Sequence, residues 1–167
     1  MEKEFRNWKY FIQTFGCQMN VHESEKMAGV LKNLGMEESS HQNSADVVVI
    51  NTCAIRESAE KKIESFIGNL KAPKNAGTIK CVVLVGCMTQ QSGRAESIKK
   101  KFPFVDLIIG TMNLSNFKSL FLKWADAHKS QIEILENRTG EDIKEIHRTS
   151  GVNAWVNISF GCNNFCT

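Results

Sequence analysis

The chain has 167 residues, 42% of them hydrophobic and 23% charged, with a formal net charge of +3. That length suffices for one ordinary core and a small additional piece, and the modest charge lacks the clustered basic footprint of a dedicated nucleic-acid-binding domain. No stretch reaches the roughly 20 apolar residues that cross a bilayer and no apolar segment follows the charged N-terminus as in a signal peptide, so a cytoplasmic protein with no membrane contact is expected.

In chain order, Lys9 to Phe15 reads as a first strand. Asn20, with Glu23 three residues on, then reads as the N-cap of an amphipathic helix through Met27, Val30, Leu31 and Leu34, closed by Gly35. Residues 36–45 are polar and loop-like, with room for a short strand. Val47 to Ile50 is a β-branched run suited to a strand buried on both faces. Ile55, Ala59, Ile63, Phe66, Ile67 and Leu70 mark a second helix, which Pro73 to Gly77 should break. Ile79 to Val85 reads as another buried strand, Gln90 to Phe102 as a weaker helix, Val105 to Ile109 as a strand and Phe117 to Trp124 as a last helix. The basic runs Lys61-Lys62 and Lys99-Lys100-Lys101 read as solvated helix faces.

From His128 to Val152 the pattern dissolves into polar residues. This segment is expected to be a linker, with one edge strand through Ile132 and Ile134. Ala154, Val156, Ile158 and Phe160 then alternate with Trp155, Asn157 and Ser159, as in a new strand that runs into Cys162 and Cys166. The expected organisation is an α/β domain over residues 1–127, a linker over 128–152, and over 153–167 the first strand of a second domain that continues beyond Thr167. Strands that alternate with helices and are apolar throughout imply a mostly parallel sheet with helices on both faces.

Six cysteines are many for a reducing compartment, where clustered thiols more often serve metals or chemistry than disulfides. Cys17, Cys53 and Cys87 recur in one slot, each at the end of a strand and the start of a helix. In an open parallel sheet that edge is where ligands bind, and a helix N-terminus favours the thiolate. Three thiols converging there would suit an iron–sulfur cluster with one open iron, whereas singly each could be a small buried hydrophobe. Cys81, inside a strand, reads as core. Cys162 and Cys166 form a C-x3-C pair that alone could be half of a zinc site, although the first three cysteines show no short zinc-type pairs. His22, His41, His128 and His147 show no ligand spacing and read as surface or loop residues. Asn51 and Arg56 flank Cys53. They either line a cluster cavity or, respectively, cap a turn and face solvent.

Gly161-Cys162-Asn163-Asn164-Phe165-Cys166-Thr167 resembles the opening of the radical S-adenosylmethionine motif C-x3-C-x2-C, with the third cysteine due beyond Thr167. Thr14 to Asn20, Glu23-Ser24-Glu25, Asn51 to Arg56 and Gly86-Cys87 resemble the N-terminal domain of the methylthiotransferase family, in the family's order and over essentially the whole chain. Gly-Cys-Gln-Met-Asn is similar to the branch acting on tRNA. The branch acting on a ribosomal-protein aspartate typically continues Pro-Lys-Asn, and the threonylcarbamoyladenosine branch Lys-Val-Asn.

The resemblance implies an auxiliary [4Fe–4S] cluster on Cys17, Cys53 and Cys87. It implies a second [4Fe–4S] cluster on Cys162, Cys166 and a third cysteine, binding S-adenosylmethionine. A radical generated there would act on C2 of N6-isopentenyladenosine next to the anticodon of a tRNA, and the auxiliary cluster would supply sulfur for the methylthio group. An electron donor such as flavodoxin or ferredoxin, a monomeric state and no turnover by residues 1–167 alone are further expectations. The alternatives are a sister methylthiotransferase of another substrate, or a non-catalytic iron–sulfur or zinc module.

Overall fold

The structure is a computed structural model, which describes residues 5–53, 57–136, 142–148 and 154–156. Six strands form one sheet in the order β2-β1-β3-β4-β5-β6, and every neighbouring pair is parallel. They are β1 (Lys9–Thr14), β2 (Glu37–Glu38), β3 (Val47–Thr52), β4 (Cys81–Gly86), β5 (Leu107–Gly110) and β6 (Gln131–Glu133). The helices are α1 (Gln18–Asn33), α2 (Glu57–Asn69), α3 (Lys71–Asn75), α4 (Cys87–Gln90), α5 (Arg94–Lys101) and α6 (Phe117–Ala127).

The expected doubly covered sheet is present, and the period of two along each strand explains it. Val47 and Val49 of β3 pack with Val83 and Val85 of β4 against Met27, Val30 and Leu31 of α1 and Phe117, Phe121 and Trp124 of α6. Val48 and Ile50 pack with Val82 and Leu84 against Ile63 and Ile67 of α2 and Ala95 and Ile98 of α5. A strand apolar at every position is thus stabilised from two sides, at about 1.5–3 kcal/mol per large side chain removed from water. Cys81 belongs to the first of these cores and is fully buried, as its place inside an apolar strand requires. Burial pushes its thiol well above the ordinary range, as does the Asp106 carboxylate, which leaves it an unreactive core side chain.

Several boundaries differ from expectation. The second helix ends at Asn69, before Pro73, which lies inside the short α3. Proline is tolerated there because the first-turn N–H groups of a helix have no intrahelical acceptor. The helix expected over Gln90 to Phe102 is the shorter α5, which starts after Gly93, whose φ is 69°; Gln90 belongs instead to the single turn α4. Lys99 is not simply solvated: its ammonium donates to the carbonyls of Pro103 and Val105 and to Ser130 Oγ, fastening the α5–β5 turn.

The segment expected as a linker contributes structure in its described parts. β6 extends the sheet beside β5, in line with the expected edge strand, though over Gln131–Glu133. Residues 142–148 form a strap along α1. Ile143 enters the core, His147 N–H donates to the Glu25 carbonyl at 2.9 Å, and the Asp142 carboxylate meets Lys26 Nζ at 2.8 Å. Gly29 permits this approach, since a Cβ there would lie 2.7 Å from the Glu145 backbone. Of the strand expected from Ala154 to Phe160, only residues 154–156 are described, and they carry no regular secondary structure.

His22 is a correction. It is 3% exposed on α1, facing Glu25 at 3.8 Å, and is neither a surface nor a loop residue. Residue spacing along α1 did not reveal that the strap covers this face. Burial, and then the Lys26 ammonium, hold its pKa below the ordinary value against the opposing pull of Glu23 and Glu25, with Arg148 lowering it further. The folded chain therefore takes up a proton at His22 less readily than the unfolded chain. That makes the fold lose stability as pH falls through about 6.5. The thermal midpoint should drop between about pH 7.5 and about pH 5.5, and His22→Gln should flatten that part of the profile. An unchanged slope in the variant would remove His22 from the account.

Candidate metal centre

The carboxyl ends of β1, β3 and β4 lie side by side, because the register pairs Thr14 with Asn51 and Thr52 with Gly86. Each strand leads into one of the three singled-out cysteines. Cys53 directly follows β3, Cys87 directly follows β4, and Cys17 follows β1 after Phe15 and Gly16. The point where a Gly16 Cβ would sit is 3.0 Å from Cys53 Cβ, so the β1 and β3 loops touch.

The helix starts differ among the three. Cys17 itself is the N-cap of α1, in an extended conformation, and Asn20, expected as the cap, is the third residue of the helix. The Asn20 Oδ1 accepts the Cys17 N–H at 3.2 Å, reproducing a capping box with cysteine in place of serine. Cys87 is the first residue of α4, a single turn. α2 begins at Glu57, and residues 54–56, including Arg56, lie outside the described residues.

Two buried amides lock the arrangement. Asn20 Nδ2 donates to Asn51 Oδ1 at 3.0 Å and to the Thr52 carbonyl at 3.1 Å. Asn51 Nδ2 donates to the Asn20 carbonyl at 2.8 Å and to Ser24 Oγ at 3.0 Å. Every polar atom of both side chains is thereby used, which is what burial at 3% and 1% exposure demands. Asn51 thus ties the start of α1 to β3, a role distinct from capping the turn after β3. The pairing spans 31 residues and has no local sequence signal; only the Cys17-x-x-Asn20 spacing hints at it. Thr52 Oγ1 donates to the Val85 carbonyl at 2.7 Å, and the single Thr89 hydroxyl proton is shared between the Gly86 and Ile109 carbonyls, 2.8 and 2.7 Å away, extending the bracing across β4 and β5.

Cys17 is exposed, Cys53 is buried and Cys87 is intermediate. Burial pushes the Cys87 thiol up, and the charges of Cys53 and Cys17 push it the same way, against the hydrogen bond from its own backbone. Burial disfavours a bare thiolate at Cys87, and a cation bound among the three sulfurs would offset that cost. The donor set therefore fits a thiophilic metal or an iron–sulfur group. Among the described residues no three His, Cys, Asp or Glu side chains already form a coordination shell. Cys162 and Cys166 lie outside the described residues.

A cavity of about 490 Å³ opens beside Cys87. Met19, Val85, Met112 and Leu114 supply its apolar wall, and Asn20, Glu23, Asn51 and Thr111 supply polar edges.

Gly86 is the backbone hinge of this edge. Its φ is 113°, and a Cβ would lie 2.1 Å from the Thr52 carbonyl oxygen. Backbone of a paired strand cannot yield, so Gly86→Ala should cost about 2–4 kcal/mol in denaturant unfolding. Gly77→Ala, also at positive φ (77°) but with open space around it, should cost only about 1 kcal/mol. Equal losses in the two variants would show that contact with β3 is not what fixes Gly86.

Residues 9–110, more than half of the chain, match the model of the Uncharacterized protein family UPF0004. Among similar proteins is the tRNA-2-methylthio-N(6)-dimethylallyladenosine synthase of Clostridium botulinum (strain Hall), 45% identical over 95% of this chain and 36% of its own length. Proteins of the same name from Clostridium tetani and Pelotomaculum thermopropionicum are each 44% identical over 95% of this chain, covering 35% and 36% of their own lengths. The resemblance to methylthiotransferases read from Thr14 to Asn20 is thus matched over nearly the whole chain, which spans about a third of the length of these relatives.

Proposed function

The chain belongs to the UPF0004 family, and on that premise we propose that it is the cluster-holding portion of a tRNA methylthiotransferase, one that acts on C2 of N6-isopentenyladenosine beside the anticodon. The observation that carries this reading is the meeting of three cysteine-bearing loops at the carboxyl edge of neighbouring parallel strands. In it, Cys17, Cys53 and Cys87 hold an auxiliary [4Fe–4S] cluster. Cys162, Cys166 and a cysteine beyond Thr167 hold the second, at which S-adenosylmethionine binds. When bound, these groups supply reductive cleavage of S-adenosylmethionine and the sulfur to be transferred. A flavodoxin- or ferredoxin-type protein supplies electrons, and the whole protein works as a monomer in the cytoplasm. No helix among the described residues is long and apolar enough to cross a membrane.

The chain's own residues have defined tasks in this reading. Cys17 stands at the N-cap of a 16-residue helix, its backbone N–H held by the Asn20 side chain. Asn20 and Asn51 hold its loop against that of Cys53, and Thr52 holds β3 against β4. The sheet register pairs Thr52 with Gly86, the residues that directly precede Cys53 and Cys87.

Anaerobic reconstitution tests the reading. The chain should take up iron and sulfide in preference to zinc, and Cys17→Ala, Cys53→Ala and Cys87→Ala should each reduce bound iron at least about tenfold relative to Cys81→Ala. Residues 1–167 alone should give no methylthiolated tRNA. Iron content untouched by one of the three changes removes that residue from the ligand set, and zinc in place of iron overturns the reading.

A further inference from the structure

The cavity beside Cys87 has an uneven chemistry that selects its ligand. Its polar wall residues are already engaged. Asn20 and Asn51 bond to each other and to Thr52 and Ser24, Glu23 is paired with Lys26 at 3.2 Å, and Thr111 Oγ1 contacts Gln90 Oε1 at 3.4 Å. What the cavity offers to a ligand is therefore the side chains of Met19, Val85, Met112 and Leu114, with Cys87 on the same wall. Met19 and Met112 are 49% and 38% exposed, so flexible thioethers stand at its mouth. Its size, about 490 Å³, is that of a small-molecule site and admits a substituted purine. Apolar surface this open at the one edge where the proposed ligand Cys87 lies is suited to an apolar substituent on the reacting base.

We propose that this cavity receives the dimethylallyl group of the N6-substituted adenosine, with Met19 and Met112 as the residues that set preference for it. The proposal rests on the methylthiotransferase reading and deepens it. Three further features favour this occupant. The relatives at 44–45% identity carry dimethylallyladenosine in their names. The N6 substituent and C2 of adenine flank the same ring nitrogen, so a substituent lodged beside Cys87 leaves C2 near the three cysteine loops. An apolar wall also disfavours a substituent that ends in a carboxylate, as a threonylcarbamoyl group does, because that charge would lose its hydration there. Burying a five-carbon branched chain against thioether and aliphatic side chains is favourable by about 0.8 kcal/mol per methylene, enough to discriminate against the bare base.

The experiment is a titration of the 167-residue chain, its six methionines labelled with 13C at the methyl group, with N6-isopentenyladenosine, adenosine and N6-threonylcarbamoyladenosine. The Met19 and Met112 methyl resonances should shift with N6-isopentenyladenosine and not with the other two, while those of the buried Met27 and Met36 stay fixed. Met112→Lys, at an exposed position, should weaken binding about tenfold with the Met27 and Met36 resonances unmoved, which separates loss of the site from loss of the fold. Equal shifts with adenosine, no shift with N6-isopentenyladenosine, or unchanged affinity in Met112→Lys overturns the proposal. The cysteine readout is independent of all three. A chain that binds iron through Cys17, Cys53 and Cys87 but ignores N6-isopentenyladenosine loses only this proposal, and one that binds no iron loses the reading beneath it.

Discussion

The pair of buried amides, Asn20 and Asn51, is the constraint on which the candidate site depends. Each side chain spends all of its donors and acceptors on a fixed set of partners, and in the low-dielectric interior an unmet amide would be costly. The result is a rigid join between the first turn of α1 and the last residues of β3. Cys17 sits three residues before one amide and Cys53 two residues after the other, so fixing the amides fixes both cysteine loops. Gly86 completes the join, because only a residue without a Cβ lets β4 turn into α4 against the Thr52 carbonyl.

The parallel sheet makes that join possible. Parallel strands point their carboxyl ends the same way, so loops far apart in sequence meet at one edge. The two apolar cores hold the strands in register, since a one-residue slip would exchange every side chain between faces. Here such a slip would also separate Thr52 from Gly86 and move Cys87 away from Cys53. The strap over residues 142–148 braces α1 from outside through Lys26, Glu25 and Ile143. The helix that presents Cys17 is therefore held at its start by Asn51 and along its length by the strap.

Much of this was legible in the sequence where local pattern carries the information. Continuous β-branched runs give β3 and β4, and the recurrence of cysteine at strand ends gives the three candidate ligands. What stayed hidden was long-range. Asn51 could be noticed beside Cys53, yet its partner 31 residues earlier has no signature. His22 looked like a surface residue because the strap that covers it comes from polar residues near 145, which carry no periodic signal. Pro73 looked like a breaker because composition does not say that it falls in the first turn of a new helix.

The central claim is that sheet register and the Asn20–Asn51 join bring Cys17, Cys53 and Cys87 to one metal group. Diffraction from anaerobically reconstituted crystals, with anomalous data on both sides of the iron absorption edge, tests it most directly. The account predicts one iron–sulfur feature bonded to the Sγ atoms of Cys17, Cys53 and Cys87, with Cys81 remote from it. Iron bound elsewhere, or bound by only two of those sulfurs with the third turned into the core, would contradict it.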